Sequence, residues 1–174
     1  MSSFGRRLGS MTPSTAPWSR FTTDAPESAA AVEARFAARP HHTLATLRRD
    51  GAPRTSGLEV RFLGGELWLG MMPGSLKALD LRRDPRFALQ ANPGDGTGMS
   101  GGDVRIAGRA VEVAGDGPEE EALRAAYVEE VEPPQPFHLF RAEVSEVVRT
   151  TVEDDLLVVR LWRPGEPLRT LRRA

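Results

Sequence analysis

The sequence predicts an α+β fold, mainly of strands, in the form of a small closed or half-open barrel. Tight turns at Asp50-Gly51 and Gly64-Gly65 join strand-like runs, and such dipeptides supply the backbone angles that hairpins need. Apolar and polar residues alternate within those runs, as in Leu58, Val60 and Phe62 against Glu59 and Arg61, which gives a strand one core face and one polar face. Three strands joined in this way, then a helix, then further strands, build a barrel of antiparallel neighbours.

The chain has 174 residues, enough for one domain with a core of its own. A net charge of −1 and a pI near 6.3 give no reason to expect nucleic acid or an anionic membrane as partner. With no cysteine there is no disulfide, thiolate metal site or thiol nucleophile. The absence of a long apolar run or a hydrophobic signal core makes a cytoplasmic protein the expectation.

Residues 1–23, rich in Ser, Thr, Pro and Arg, read as a flexible lead-in with Trp18 and Phe21 as docking points. The barrel domain is expected over 24–163. It opens with a helix capped by Asp24-Ala25-Pro26-Glu27, with Val32 and Phe36 on one face. His41 and His42 read as strand-entry residues, because no second ligand stands at metal spacing. Strands follow at 42–48 and 54–62. Gly96-Thr97-Gly98-Met99-Ser100-Gly101 matches the dinucleotide fingerprint formally, but the valine-rich strand after it rules out the βαβ context that fingerprint needs. Residues 93–102 therefore read as a hairpin loop and a candidate lid. In that following strand Val104 and Ile106 share one parity and Val111 and Val113 the other, so a bulge is expected near Gly108. An acidic helix over 118–132 carries the stripe Leu123, Ala126 and Tyr127, its glutamates forming a solvated face. Two last strands, 137–150 and 156–163, precede a basic tail at 164–174, which reads as a fraying end or a subunit contact.

The stretch LWLGMMPGSLKALDLRRDP, residues 67–85, organises the rest. It reads as a strand, a Pro73-Gly74 turn, and a short helix that opens at Ser75 and stops before Asp84-Pro85. Lys77, the single lysine, lies in the first turn of that helix. A helix start with free N–H groups, a hydroxyl and an ammonium makes a phosphate grip. The plainer alternative, a serine cap beside a solvated lysine, stands on the same spacing.

The segments LATLRRDGAPRTSGLEVRF, GELWLGMMPGSLKALDLRRDPRFAL and GGDVRIAGRAVEV together resemble the pyridoxamine 5′-phosphate oxidase-like family of flavin-binding split barrels, over roughly residues 38–162. The resemblance implies an FMN-binding split β-barrel of Greek-key topology, a homodimer with two cofactor sites in the grooves between subunits. It implies that Ser75 and Lys77 are the phosphate-binding pair, with Leu76 where the oxidases have an arginine between them. Arg61 fills the basic position along the cofactor, and Ser56 stands where the oxidases carry a second arginine. Gly70 and Met71 match the pair whose backbone lies against the flavin ring. Asp103 falls where the partner subunit's glutamine reaches the cofactor, and Trp162 matches a late tryptophan near the groove. FMN is the implied cofactor and the deazaflavin coenzyme F-420 the alternative.

The resulting expectation is a flavin- or deazaflavin-dependent oxidoreductase acting on a small organic substrate. No side chain need act as nucleophile, which agrees with the lack of a Ser-His-Asp or paired-carboxylate constellation. The alternative is a non-catalytic flavin or haem carrier, for which His41, His42 and His138 are the available axial ligands. A nucleic-acid role is set aside, because the arginines are scattered among acids and the strands lack aromatic stacking platforms.

Overall fold

The computed structural model describes residues 13–94 and 101–174. The Gly96 to Ser100 segment of the fingerprint match, and most of the candidate lid, lie outside the described residues.

Two helices open the described chain, α1 (Trp18–Asp24) and α2 (Pro26–Ala37). In α1 the spacing of three turns Trp18 and Phe21 to one side, and both are buried. Ala29, Val32 and Phe36 form the matching stripe of α2. The rings interlock with later strands: Trp18 lies 4.7 Å from Phe62, Phe36 5.6 Å from Phe62, and Phe21 5.0 Å from Trp162. Part of the expected lead-in is thus helix, docked through the two aromatics foreseen for it. The expected Asp24 cap does not form. Ala25 holds the N-cap position of α2, while Asp24 ends α1 and binds Arg20 and the Trp162 indole instead.

The strands are β1 (His42–Leu47), β2 (Pro53–Leu58), β3 (Val60–Leu63), β4 (Glu66–Met71), β5 (Arg86–Gln90), β6 (Asp103–Glu112), β7 (His138–Glu153), β8 (Leu156–Trp162) and β9 (Arg169–Arg173). Helix α3 (Leu76–Arg83) follows β4, and α4 (Pro118–Val131) follows β6. Every pairing is antiparallel, in the order β2-β1-β5-β6-β7-β4-β3, with β8 on the far half of β7 and β9 beyond it. The expected single strand over 54–62 breaks at Glu59, and its halves β2 and β3 lie at opposite ends of this order. A sheet so curled that its two ends are consecutive in sequence, yet not paired, is a split barrel. The C-terminal tail is in part strand: β9 returns along β8 after the Pro164-Gly165 turn.

The bulge expected at Gly108 exists, but the extra residue is on the partner strand. Ala107 pairs with Glu146 and Gly108 with Val144, leaving Ser145 unpaired on β7. The change of parity therefore occurs in β7, where Phe140, Ala142 and Val144 are buried and then Val147. In β6 the buried face stays at Val104, Ile106 and Ala110, while Val111 is exposed. Gly108 is required for closeness, since a Cβ there would fall 2.1 Å from the Glu143 carbonyl oxygen. No helix among the described residues is long and apolar enough to cross a membrane.

Helix α3 is fixed to the barrel by a buried acid. Asp80, 3% exposed, accepts from Thr46 Oγ1 of β1 at 3.0 Å, from Arg54 Nε of β2 at 2.6 Å and from Arg83 Nη2 at 3.0 Å. Burial pushes this carboxyl up, but the bonds from Arg54, Arg83 and Thr46 outweigh it and hold the group below its ordinary value. A depressed carboxylate contributes stability that is present above its unfolded pKa and lost as pH falls through the folded one. Asp80→Ala should therefore cost about 2–3 kcal/mol in urea unfolding at pH 7, because two arginines lose a partner, and less at pH 3. Gly108→Ala should cost about 1–3 kcal/mol by the same assay, from crowding against the β7 backbone.

Candidate functional site

Strand β4 ends at Met71, and Gly74, with a φ of +64°, swings the chain into α3. Ser75 sits at the N-cap position, but its hydroxyl makes no capping bond. Its Oγ is buried without a hydrogen-bond partner among the described residues, and so is Ser56 Oγ on β2. Arg54 reaches Asp80 of α3, so Ser56, two residues on, lies on the same α3-facing side of β2. Lys77 donates through Nζ to the Gly57 carbonyl at 2.5 Å and has no carboxylate partner among the described residues. Burial pushes its ammonium below the ordinary value. Two unmet hydroxyls and an uncompensated cation thus surround the start of one helix, each a group that an anionic oxygen would satisfy.

This helix start opens on a cavity of about 570 Å³. The β2–β3 junction and the β4–α3 turn form one side, while α4 and the proline-rich segment 132–137 form the other. Of the residues predicted from sequence, Arg61, Gly70, Met71 and Lys77 line it. The Arg61 guanidinium donates to the Val60 carbonyl at 3.1 Å and lies 3.7 Å from Glu59. Glu59 is also 3.6 Å from the exposed His41 ring, so the rim carries a His41, Glu59, Arg61 series.

The other predicted residues are placed differently. Ser56 and Ser75 stand beside the start of α3 without lining the cavity itself. Leu76 points outward, 59% exposed. Asp103, at the start of β6, accepts from the Gln90 amide away from the cavity. Trp162 does not line the cavity: it is 1% exposed, packed on Phe21, and bound through Nε1 to Asp24 at 3.2 Å. A ring so enclosed is core, and the α1 docking residues take the face that a ligand would need. Among the histidines, His42 is buried against Phe36 and accepts from the Asn92 N–H, and both ring nitrogens of His138 are engaged. His41 alone presents its ring to the cavity.

Sequence reading missed what α4 contributes. Tyr127, the chain's single tyrosine, is 5% exposed and lines the cavity. Burial pushes its phenol up and the nearby Arg61 pulls it down, leaving the net shift upward, so the group keeps its proton at neutral pH. Its hydroxyl makes no hydrogen bond among the described residues, and it rests on Gly70, where a Cβ would approach it to 2.5 Å. That contact explains the glycine in β4. Gly70→Ala should force the Tyr127 ring off the cavity wall and cost about 1–3 kcal/mol. Adding Tyr127→Phe should recover most of that loss in a double-mutant cycle, because the ring carbon behind the oxygen is at an ordinary 3.5 Å.

Comparison with known proteins follows the same lines. No functionally curated protein matches the sequence. Among solved structures, a pyridoxamine 5′-phosphate oxidase-related, FMN binding protein from Nostoc punctiforme is similar, with TM-score 0.63 and 15% identity over 86% of this chain and 96% of that one. PhzG from Burkholderia lata, solved with tetrahydrophenazine-1-carboxylic acid, gives TM-score 0.57 and 20% identity over 88% and 91%. HutZ, the haem storage protein of Vibrio cholerae, gives 0.51 and 17% over 70% and 90%. At these identities the likeness is one of fold. Residues 28–150, most of the chain, match the family described as Pyridoxamine 5′-phosphate oxidase, and the chain belongs to that family.

Proposed function

We propose that this protein is a flavin-dependent oxidoreductase that binds FMN, with the deazaflavin F-420 as the alternative cofactor, and acts on a small organic substrate. The observation that carries this reading is the uncompensated Lys77 ammonium lining the cavity, together with the orphaned hydroxyls of Ser75 at the start of α3 and of Ser56 on the α3-facing side of β2. A phosphate ester supplies the charge and the acceptor oxygens that these groups lack. Bound flavin supplies hydride chemistry, and the chain's part is to hold and orient it. Lys77, Ser75 and Ser56 would hold the phosphate. Gly70 and Met71 would back the ring with main chain, and Arg61 would meet its polar edge. The apolar members of the 131–137 wall, Val131, the three prolines and Phe137, would keep water from the reacting face, with Glu132 and Gln135 as its polar points. The family resemblance further suggests a homodimer with sites between subunits, in which Asp103 of one copy reaches the other's cofactor, and a cytoplasmic location remains part of this proposal.

A second reading, a flavin or haem carrier without turnover, draws on the His41 ring at the cavity rim. Under it a Soret band should appear with added haem and vanish in His41→Ala.

Equilibrium titration with FMN and with F-420 tests the first reading. Saturable binding of one of them should weaken by about 1.5–3 kcal/mol in Lys77→Ala, the worth of a charged hydrogen bond. Binding of neither, or unchanged affinity in that variant, would overturn the phosphate assignment.

A further inference from the structure

The turn that presents Ser75 and Lys77 is held from outside by a side chain remote in sequence. The Gly74 N–H donates to Nε2 of His138 at 3.1 Å. A ring nitrogen that accepts carries no proton, so this network assigns the proton to Nδ1, 3.2 Å from Glu112 Oε1, to which it donates. Glu112 is gripped in turn by Arg82, through Nε at 2.7 Å and Nη2 at 2.6 Å. The His138 and Glu112 side chains are 16% and 22% exposed, and Arg82 reaches them from the surface, 46% exposed.

Its position gives it a role. Gly74 precedes Lys77 by three residues, and His138 directly follows Phe137, the last residue of the apolar wall. Met71 pairs with His138 in the β4–β7 ladder, so the two sides of the cavity meet at this point. One hydrogen bond therefore ties the cationic side of the mouth to the apolar side. The charged groups facing the ring are Arg82 from α3 and Glu112 from β6; Arg82 Nη2 is 3.2 Å from Nδ1, but a guanidinium only donates, so with the proton on Nδ1 it makes no bond there and acts on the ring through Glu112. Strand β4 brings only Met71, and Arg124 of α4 is turned to the carbonyls of Val113 and Phe137.

We propose that His138 is a positioning residue of the cofactor site: the neutral ring holds Gly74, and with it Ser75 and Lys77, and a proton on Nε2 releases them. Imidazolium has two donors, so Nε2–H would confront the Gly74 N–H donor to donor, while Glu112 still accepts from Nδ1. The clasp then opens in acid at one bond only. This inference rests on the flavin-phosphate reading, and its test separates the two.

The first readout needs no cofactor. Hydrogen exchange of the backbone over 72–79, corrected for the intrinsic pH dependence, should show protection at pH 8 that fades toward pH 5.5. His138→Leu should lack the protection throughout, and His138→Gln, which keeps an acceptor near Nε2 but does not titrate, should keep it at both pH values. The second readout is FMN affinity. At pH 8 His138→Leu should bind about tenfold more weakly and His138→Gln within about twofold of the parent. Toward pH 5.5 the parent should lose more affinity than His138→Gln, whose remaining slope belongs to the phosphate's own protonation near pH 6. Parent-like exchange and affinity in His138→Leu would overturn the positioning role, and parallel pH slopes in parent and His138→Gln would overturn the release. Should His138→Leu not fold, the exchange and slope comparison with His138→Gln still decides. Failure of every protein to bind FMN would overturn the flavin reading, and the exchange data would then judge the clasp alone.

Discussion

The carboxylate of Asp80 is the constraint on which the geometry of the site depends. It is the buried acid on the inner face of α3, and its oxygens are shared between β1, β2 and the helix's own last turn. Leaving any of these unmade would strand a charge inside the protein, which is far costlier than the bond is worth. The helix thus has one seat on the barrel. From that seat Lys77, one turn before Asp80, meets the Gly57 carbonyl of the same strand that supplies Arg54. The anchoring bonds of Asp80 and the Lys77 contact therefore share α3 and β2, so the start of the helix is as rigid as the core beneath it.

Such rigidity explains how the molecule tolerates unmet polarity. Ser56 Oγ and Ser75 Oγ are buried without partners, and Lys77 is partly desolvated with only a carbonyl to bind. Each arrangement costs stability by itself. A mobile helix would relax them by turning toward water. Held by Asp80, the helix keeps Ser75 and Lys77 against β2, and these polar groups stay unmet.

Much of this was legible in the sequence because it is written locally. The Asp50-Gly51 and Gly64-Gly65 turns and the helix between Ser75 and Asp84 are short-range signals whose elements stand where they place them, while the alternation around Leu58 marks the buried residues but not the break at Glu59. Features set by partners were not legible. The bulge showed as a parity conflict in β6, yet the extra residue went to Ser145 on β7, because Gly108 is the position whose missing Cβ admits the neighbouring backbone. Trp162 carried no sign that α1 would cover it. Asp24 has N-cap chemistry and capping-box spacing, but the bond from Arg20 one turn earlier in α1 and the tertiary bond from the Trp162 indole claim it first. In α4 the stripe was right in Leu123 and Tyr127 and wrong in Ala126, which is exposed while Val131 packs inward. A weak apolar stripe leaves the helix's rotation to be settled by the surface beneath it.

That surface also decides where the cavity can be. Gly70 leaves room on β4, and Tyr127 enters it with its hydroxyl rather than filling it with carbon. The opposite wall is carried by residues 132–137, which run directly into β7, and β7 pairs with β4 from His138 onward. Neither wall is hung on a free loop, since both end in the same strand pairing. The width of the cavity is consequently set by backbone register, with the single His138–Gly74 bond as its adjustable point. A site built this way can keep its shape while its contents vary, because its chemistry lies in a few side chains at the rim. A fold of this kind can accommodate FMN-binding and haem-storing relatives at identities below one in five. In this chain those side chains stand beside one lysine, two unmet serines, and a tyrosine where the barrel leaves a gap.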